Sequence, residues 1–423
     1  MEAGVRRASG GALVSDGVAL ADIAREAGTP VYVHSAGALR SNYARFENAF
    51  TGEAPLIAYA VKANGGLAVL RVLAALGSGA DTVSEGEVRR ALAAGVAPER
   101  VVFSGVGKTD AELSFALEAE VGCLNVESEP ELERLSAIAA AQGRVARVAL
   151  RINPGVGAGG HSKITTGLAA SKFGVAMSDA RRLYARAAAD PWLQAIGLAC
   201  HIGSQITDLA PLEAAWTALR DLALALRAEG LAVRRLDLGG GLGADYGDGH
   251  PPPGPEAFAA LAARVFADVD AEFAFEPGRV IAASAGVLLA RVTHVNLRPD
   301  GRRFLVLDAG MNDLARPALY DAFHAVEPVA PPRAGALLPY DVVGPVCESS
   351  DVFALQRRLP PLEAGDVVAF MAAGAYGSAM AGEYNSRPLV PEAITDAGRW
   401  AVTRPRPSYA DMLASERIPD WAP

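Results

Sequence analysis

From about residue 36 to residue 282 the sequence alternates between short apolar runs and longer helical patterns. The apolar runs fall at 56–61, 79–83, 100–104, 121–126, 146–151, 196–201, 233–238 and 272–276. Helical spacing, rich in Ala and Leu with Arg and Glu to one side, falls at 37–50, 67–77, 85–95, 109–119, 129–142, 178–189, 210–228 and 255–270. Strands separated by helices predict parallel βαβ units. Eight units over this length predict an α/β fold closed as a (β/α)8 TIM barrel, not an open doubly wound sheet.

After Ala283 the texture changes. Residues 287–295 and 303–307 are apolar or alternating runs without helices between them, and further strands are expected near 338–343 and 367–371. Pro328 to Pro332 and Pro360-Pro361 read as turns. This predicts a mostly antiparallel C-terminal β domain, sandwich- or barrel-like. Residues 1–35 are too few to fold alone and carry a short strand at Pro30-Val31-Tyr32-Val33-His34, so they are expected to complete it. The expected division is thus 36–282 for the barrel, with 1–35 and 283–423 forming the β domain.

The net charge of −9 comes without a basic cluster, which argues against nucleic acid and anionic membrane as partners. No signal-peptide core and no 18-residue uncharged apolar run is present, so a soluble protein is expected. Three scattered cysteines, Cys123, Cys200 and Cys347, make neither a disulfide framework nor a zinc site and fit a reducing cytoplasm. Six histidines show no metal-ligand spacing, so no metal is expected.

In a barrel the chemistry sits at the C-terminal ends of the strands. The first run, Ile57-Ala58-Tyr59-Ala60-Val61, delivers Lys62. A lysine there is ordinarily a solvated boundary residue; the functional alternative is a Schiff-base lysine, an amine whose pKa falls when desolvated. The other strand ends decide between them. They carry Asp81 with Ser84, Ser104, Asn125 with Glu127, Arg151 with Asn153, His201 with Gly203 and Ser204, Gly239-Gly240-Gly241, and Glu276-Pro277-Gly278-Arg279. All eight are polar or glycine-rich.

The triple glycine loosely resembles a dinucleotide fingerprint, but Asp245-Tyr246-Gly247-Asp248 and a Pro run follow it where a helix is required. Loops after strands seven and eight of barrels often bind phosphate, and glycines let backbone N–H groups approach its oxygens. A Schiff-base lysine, a glycine phosphate cradle and an acid at one barrel mouth point to pyridoxal phosphate (PLP). Glu276 is the candidate partner of the pyridine nitrogen, and His201 the candidate to stack on the ring; without Lys62, His201 would read as a satisfied interior histidine.

These residues resemble a known family. Tyr59-Ala60-Val61-Lys62-Ala63-Asn64, His201-Ile202-Gly203-Ser204-Gln205, Gly239-Gly240-Gly241 and Glu276-Pro277-Gly278-Arg279 resemble the motifs of barrel-type, fold type III PLP decarboxylases, which are alanine racemase-like. The narrower resemblance is to the diaminopimelate decarboxylases. It rests on Thr166-Gly167 through Ser171-Lys172-Phe173-Gly174, Asp308-Ala309-Gly310-Met311-Asn312-Asp313, Arg316-Pro317-Ala318-Leu319-Tyr320, Gly344-Pro345-Val346-Cys347-Glu348-Ser349-Ser350-Asp351, Gly374-Ala375-Tyr376-Gly377 and Tyr384-Asn385-Ser386-Arg387-Pro388.

The resemblance implies decarboxylation of meso-2,6-diaminopimelate to L-lysine and CO2, the last step of lysine biosynthesis. By the same resemblance Lys62 holds PLP covalently. Gly240, Gly241, Ser204 and the Glu276–Arg279 turn with Gly278 face its phosphate, Glu276 reaches the ring nitrogen, and Asp81, His201 and Tyr376 lie beside it. Arg279, Arg316 and Tyr320 grip the far carboxylate of the substrate, with Tyr376 near by, and Glu348 reads its far ammonium group. Cys347 donates a proton at the reacting carbon, and the Cys347-Glu348 loop completes a neighbour's site, which implies a homodimer.

A planar guanidinium matches a carboxylate bidentately, so Arg316 suits a substrate with two carboxylates better than one destined to become a simple diamine. Two other readings are carried: a related PLP decarboxylase acting on another diamino acid or a carboxylated polyamine, and a PLP-binding regulatory or carrier protein without turnover. The β domain from 283 onward argues against the carrier. One departure from the family pattern is Glu85, where a second glycine is common; an acid there is expected to begin a helix, favoured by the helix dipole.

Overall fold

The computed structural model describes residues 4–52, 54–158, 166–167 and 171–422. It divides into two compact units. One comprises Leu39–Asp245 and His250–Ala282; the other comprises the chain up to Ala38, Tyr246–Gly249 and everything from Ala283 on.

The first unit is a closed parallel barrel. Its eight strands are Leu56–Ala60, Gly79–Thr82, Val101–Phe103, Cys123–Val126, Ala146–Asn153, Leu193–Ala199, Arg235–Asp237 and Glu272–Phe275. Each pairs in parallel with the next, and the eighth returns to the first through Ala274 against Leu56 and Phe275 against Ile57. A two-residue strand, Val175–Ala176, extends the fifth. The strands read as apolar runs because both faces are covered: Ile57, Ala58, Tyr59, Val101 and Phe103 are all buried.

Helices begin where the sequence supplies a cap. Ser84, Thr109 and Ser128 each accept a hydrogen bond from the N–H three residues on, at 3.2, 3.2 and 3.3 Å. Glu85 does open the helix Glu85–Ala93, where it pairs with Arg89 one turn later. The helix expected over 255–270 stops at Val265. Its apolar spacing persists through Phe266 and Val269, but those side chains are buried from a turn that leads straight into the eighth strand.

The second unit is built on a sheet dominated by the 12-residue strand Gly286–Leu297. That strand pairs antiparallel with Arg303–Leu307, Val367–Phe370 and Val31–Ser35. The N-terminal strand Val31–Ser35 in turn pairs in parallel with Glu392–Asp396. Two parallel pairings therefore interrupt an otherwise antiparallel sheet, the other being Arg303–Leu307 with Leu338–Val343. Pro328, expected in a turn, instead closes the short strand Val326–Pro328. Among the described residues that strand pairs only with Val367–Phe370, and at such an edge a residue without an N–H is tolerated.

Candidate active site

Each barrel strand ends in the residues the sequence singles out, but the first ends one residue early. Leu56–Ala60 stops at Ala60, and Val61–Ala63 form a 3-10 turn that carries Lys62. The Lys62 ammonium pairs with Oδ2 of Asp81, which is fully buried, while 31% of the lysine side chain stays exposed. Lys62 is thus anchored and still reachable. Burial raises the Asp81 carboxyl above its ordinary pKa, and the Lys62 charge pulls the other way.

Two further buried acids share this neighbourhood. Burial, then the charges of Asp237 and Asp81, push the Glu276 carboxyl well above its ordinary range. Oδ1 of Asp81 and Oε1 of Glu276 are buried without a hydrogen-bond partner. Asp237, on the seventh strand, accepts from the Gly239 N–H at 3.0 Å and from Asn125 Nδ2 at 3.3 Å, and Asn125 also donates to Ser104 at 3.0 Å. Asp237 was not among the residues expected at the site. Its signal was an acid inside the apolar stretch Leu236-Asp237-Leu238.

The glycine turn is required by close approach. Gly239 and Gly241 have φ of 67° and 96°, in the left-handed region. A Cβ on Gly240 would run into the carbonyl oxygen of Glu276, and one on Gly278 would meet the Cβ atoms of Ala60 and Ala63 at 2.9 Å. Among the described residues no helix follows Gly241 until Pro255–Val265, so the turn is not a dinucleotide fingerprint.

His201 sits against this turn, its Nδ1 accepting from the Gly240 N–H at 3.3 Å. The ring proton is therefore on Nε2. Burial, then the Lys62 and Arg151 charges, hold the imidazole pKa well below its ordinary value, so it is neutral. Arg279, buried, donates to Ser204 Oγ from Nε at 3.1 Å and Nη2 at 2.9 Å. Arg151 is held by Glu127 at 2.6 Å, and Glu127 also accepts from the N–H groups of Gly105 and Gly174. The barrel residues Lys62, Asp81, His201, Ser204, Gly240, Gly241, Glu276, Gly278 and Arg279 form one linked cluster.

The remaining expected residues belong to the second unit. Arg316, buried, opens the short helix Arg316–Tyr320. Cys347 and Glu348 lie on an exposed loop, where Cys347 N–H donates to Asn385 Oδ1 at 2.8 Å. Hydrogen bonds from Ser350 and Tyr384 lower the Glu348 pKa. Asp351 anchors the loop, its two oxygens accepting from the N–H groups of Met311 at 2.7 Å and Val346 at 2.6 Å. Tyr320 and Tyr376 are half-buried, Tyr376 with φ of 54°. Of the stretch from Thr166 to Gly174, residues 168–170 lie outside the described residues.

The cluster fits pyridoxal phosphate. Three buried acids, two of them (Asp81 and Glu276) carrying an unpartnered oxygen and a raised pKa, suit a protonated ring nitrogen, and the glycine turn beside Ser204 and Arg279 suits an anionic group.

Comparison with known proteins agrees with that chemistry. The family described as "Pyridoxal-dependent decarboxylase, pyridoxal binding domain" matches residues 36–283. The diaminopimelate decarboxylase of Zymomonas mobilis is 46% identical over 415 residues, 97% of this chain and 98% of that one. The crystal structure of diaminopimelate decarboxylase from Helicobacter pylori complexed with L-lysine superposes with a TM-score of 0.90 at 39% identity, covering 94% of this chain and 98% of that one. That of M. jannaschii in co-complex with L-lysine gives 0.92 at 36% identity, covering 98% of each. With a polar barrel mouth built around Lys62 and relatives that match from end to end, this chain belongs to the diaminopimelate decarboxylase family of pyridoxal-dependent decarboxylases.

Proposed function

We propose that the chain catalyses the pyridoxal-phosphate-dependent decarboxylation of meso-2,6-diaminopimelate to L-lysine and CO2. The observation that carries this is Lys62, reachable at a barrel mouth among Asp81, Asp237 and Glu276. When bound, pyridoxal phosphate supplies a ring that takes up the electron pair left as CO2 departs.

Lys62 would hold the cofactor covalently, and Asp81, its ion-pair partner, would exchange a proton with its amine. Glu276 would accept a hydrogen bond from the ring nitrogen and so keep it protonated, and neutral His201 would lie against the ring face with Tyr376 beside it. Gly240, Gly241, Gly278, Ser204 and Arg279 would take the phosphate and neighbouring anionic groups. Cys347 would return a proton to the carbon that has lost its carboxylate. Arg316 and Tyr320, with Arg279, would bind the far carboxylate, and Glu348 the far ammonium group. Because Cys347 and Glu348 are exposed on this chain, we propose that they serve the site of a second copy in a homodimer. The three free cysteines suit the reducing cytoplasm where such a pathway runs.

CO2 release from meso-, LL- and DD-diaminopimelate, lysine, ornithine and arginine, with and without added cofactor, tests the reading. Only meso-diaminopimelate is expected to turn over well. Arg316→Ala is expected to lose about 2–5 kcal/mol in kcat/KM, the cost of truncating one partner of a buried charge pair. Its cofactor absorbance should stay intact. Preferred turnover of another diamino acid or a carboxylated polyamine would transfer the assignment to a related decarboxylase.

A further inference from the structure

Arg316 is oriented by two residues that the sequence did not single out. After the helix Arg316–Tyr320, Asp321 at φ 51° turns the chain back, and His324 returns to meet the arginine. Nη1 of Arg316 donates to Nε2 of His324 at 2.8 Å. The other ring nitrogen, Nδ1, lies 2.8 Å from the Met371 carbonyl oxygen. A guanidinium cannot accept and a carbonyl cannot donate, so the imidazole is neutral with its proton on Nδ1. Its anchor is firm, since the Met371 N–H donates to the Ala325 carbonyl at 2.8 Å. The guanidinium lies over the face of the Tyr246 ring, its central carbon 4.3 Å from the ring centre. The Tyr246 and His324 rings meet edge to face at 5.2 Å.

We propose that His324 and Tyr246 are positioning residues that fix the plane and direction of the Arg316 guanidinium, and so set the preference for a substrate that ends in a carboxylate. This rests on the reading of Arg316 given above. An arginine binds a carboxylate bidentately only when its fork lies in the carboxylate's plane. The hydrogen bond to His324 and the seat over the Tyr246 ring would hold the fork in that plane. The choice of histidine follows from charge. A neutral acceptor holds Arg316 without adding a negative charge of its own, whereas an aspartate or glutamate at 324 would compete with the substrate's own carboxylate.

The test uses purified holoenzyme and two ligands that differ in the far carboxylate. meso-Diaminopimelate has it; L-lysine, a product inhibitor in this reading, does not. His324→Leu and Tyr246→Leu are expected to raise KM for diaminopimelate about tenfold, as for loss of one buried hydrogen-bond or cation–π partner, with a much smaller change in kcat. The L-lysine inhibition constant and the cofactor absorbance should not move. His324→Gln, which keeps an acceptor near the Nε2 position, and Tyr246→Phe, which keeps the ring, should restore KM close to wild type. Unchanged KM in both leucine variants, or equal weakening of diaminopimelate and lysine, would overturn the proposal. If His324→Leu does not fold, Tyr246→Leu against Tyr246→Phe decides the matter. Failure of the underlying reading looks different: the wild type would not decarboxylate diaminopimelate, or Arg316→Ala would leave kcat/KM untouched.

Discussion

Lys62 and Asp81 share one ion pair, so removing the lysine changes the titration of the acid. Lys62→Ala is expected to lack the visible absorbance of the bound cofactor, and borohydride should fix the cofactor covalently in the wild type alone; peptide mass mapping checks that the modified residue is Lys62. A second readout comes from pH. Burial already raises the Asp81 carboxyl, and the lysine charge opposes it, so deleting the lysine raises it further. An acid whose folded pKa lies above its unfolded value contributes stability at low pH and loses it as pH rises through the folded value. Cofactor-free Lys62→Ala should therefore lose thermal stability more steeply than wild type as pH climbs above the ordinary carboxylate range, and unfolding curves from pH 4 upward, an order-of-magnitude starting point set by free carboxylates, measure it. At this scale the sequence exposed what sits at strand ends. It marked Asp237 only as an acid inside an apolar stretch, and it hid His324 and Tyr246, whose contact with Arg316 is made by the fold and not by any local pattern.

Among the elements, the strand Glu392–Asp396 carries a buried clamp. Glu392 accepts from His34 Nε2 at 2.9 Å and Ser378 Oγ at 3.0 Å and forms an ion pair with Arg404 Nη2 at 3.0 Å, so one carboxylate ties the strand to both its neighbours. Burial opposes its ionisation, but His34, Arg404 and Ser378 outweigh burial and hold the carboxyl down to about 2. A depressed acid contributes stability above its unfolded pKa and loses it as pH falls through the folded one. Glu392→Gln should cost up to about 3 kcal/mol near neutral pH, and the difference from wild type should close between pH of about 4.5 and about 2. Parallel denaturation curves across that range provide the check. Barrel strands were legible because burial on both faces writes them as unbroken apolar runs. Val352–Leu359 and Arg399–Arg404 were not, since their exposed positions carry Gln356, Arg358, Arg399 and Thr403 and dilute the apolar signal; Glu392–Asp396 was not, since polar Glu392 and Thr395 occupy its buried positions.

For the whole molecule, the proposed homodimer makes a prediction that no single chain can satisfy. Inactive Lys62→Ala and inactive Glu348→Ala chains, mixed under subunit exchange, should regain partial activity, since a hybrid holds one site with both residues intact. No recovery after exchange has been verified by mass would mean that each site is built within one chain. The second unit also has a consequence for how the protein is made. Its strand Val31–Ser35 carries Val31, Tyr32 and Val33, all wholly buried in the finished sheet. One of its two neighbours, Gly286–Leu297, and the other, Glu392–Asp396, lie on the far side of the barrel's sequence. A ribosome moving at about 5–20 residues per second needs roughly 20 to 70 seconds to reach the second neighbour. The barrel's strands are contiguous in the chain and can close during that wait, while an apolar strand made first stays unpaired. Nascent chains should therefore engage chaperones through this N-terminal strand, and yield in the cell should depend on how long translation leaves it uncovered.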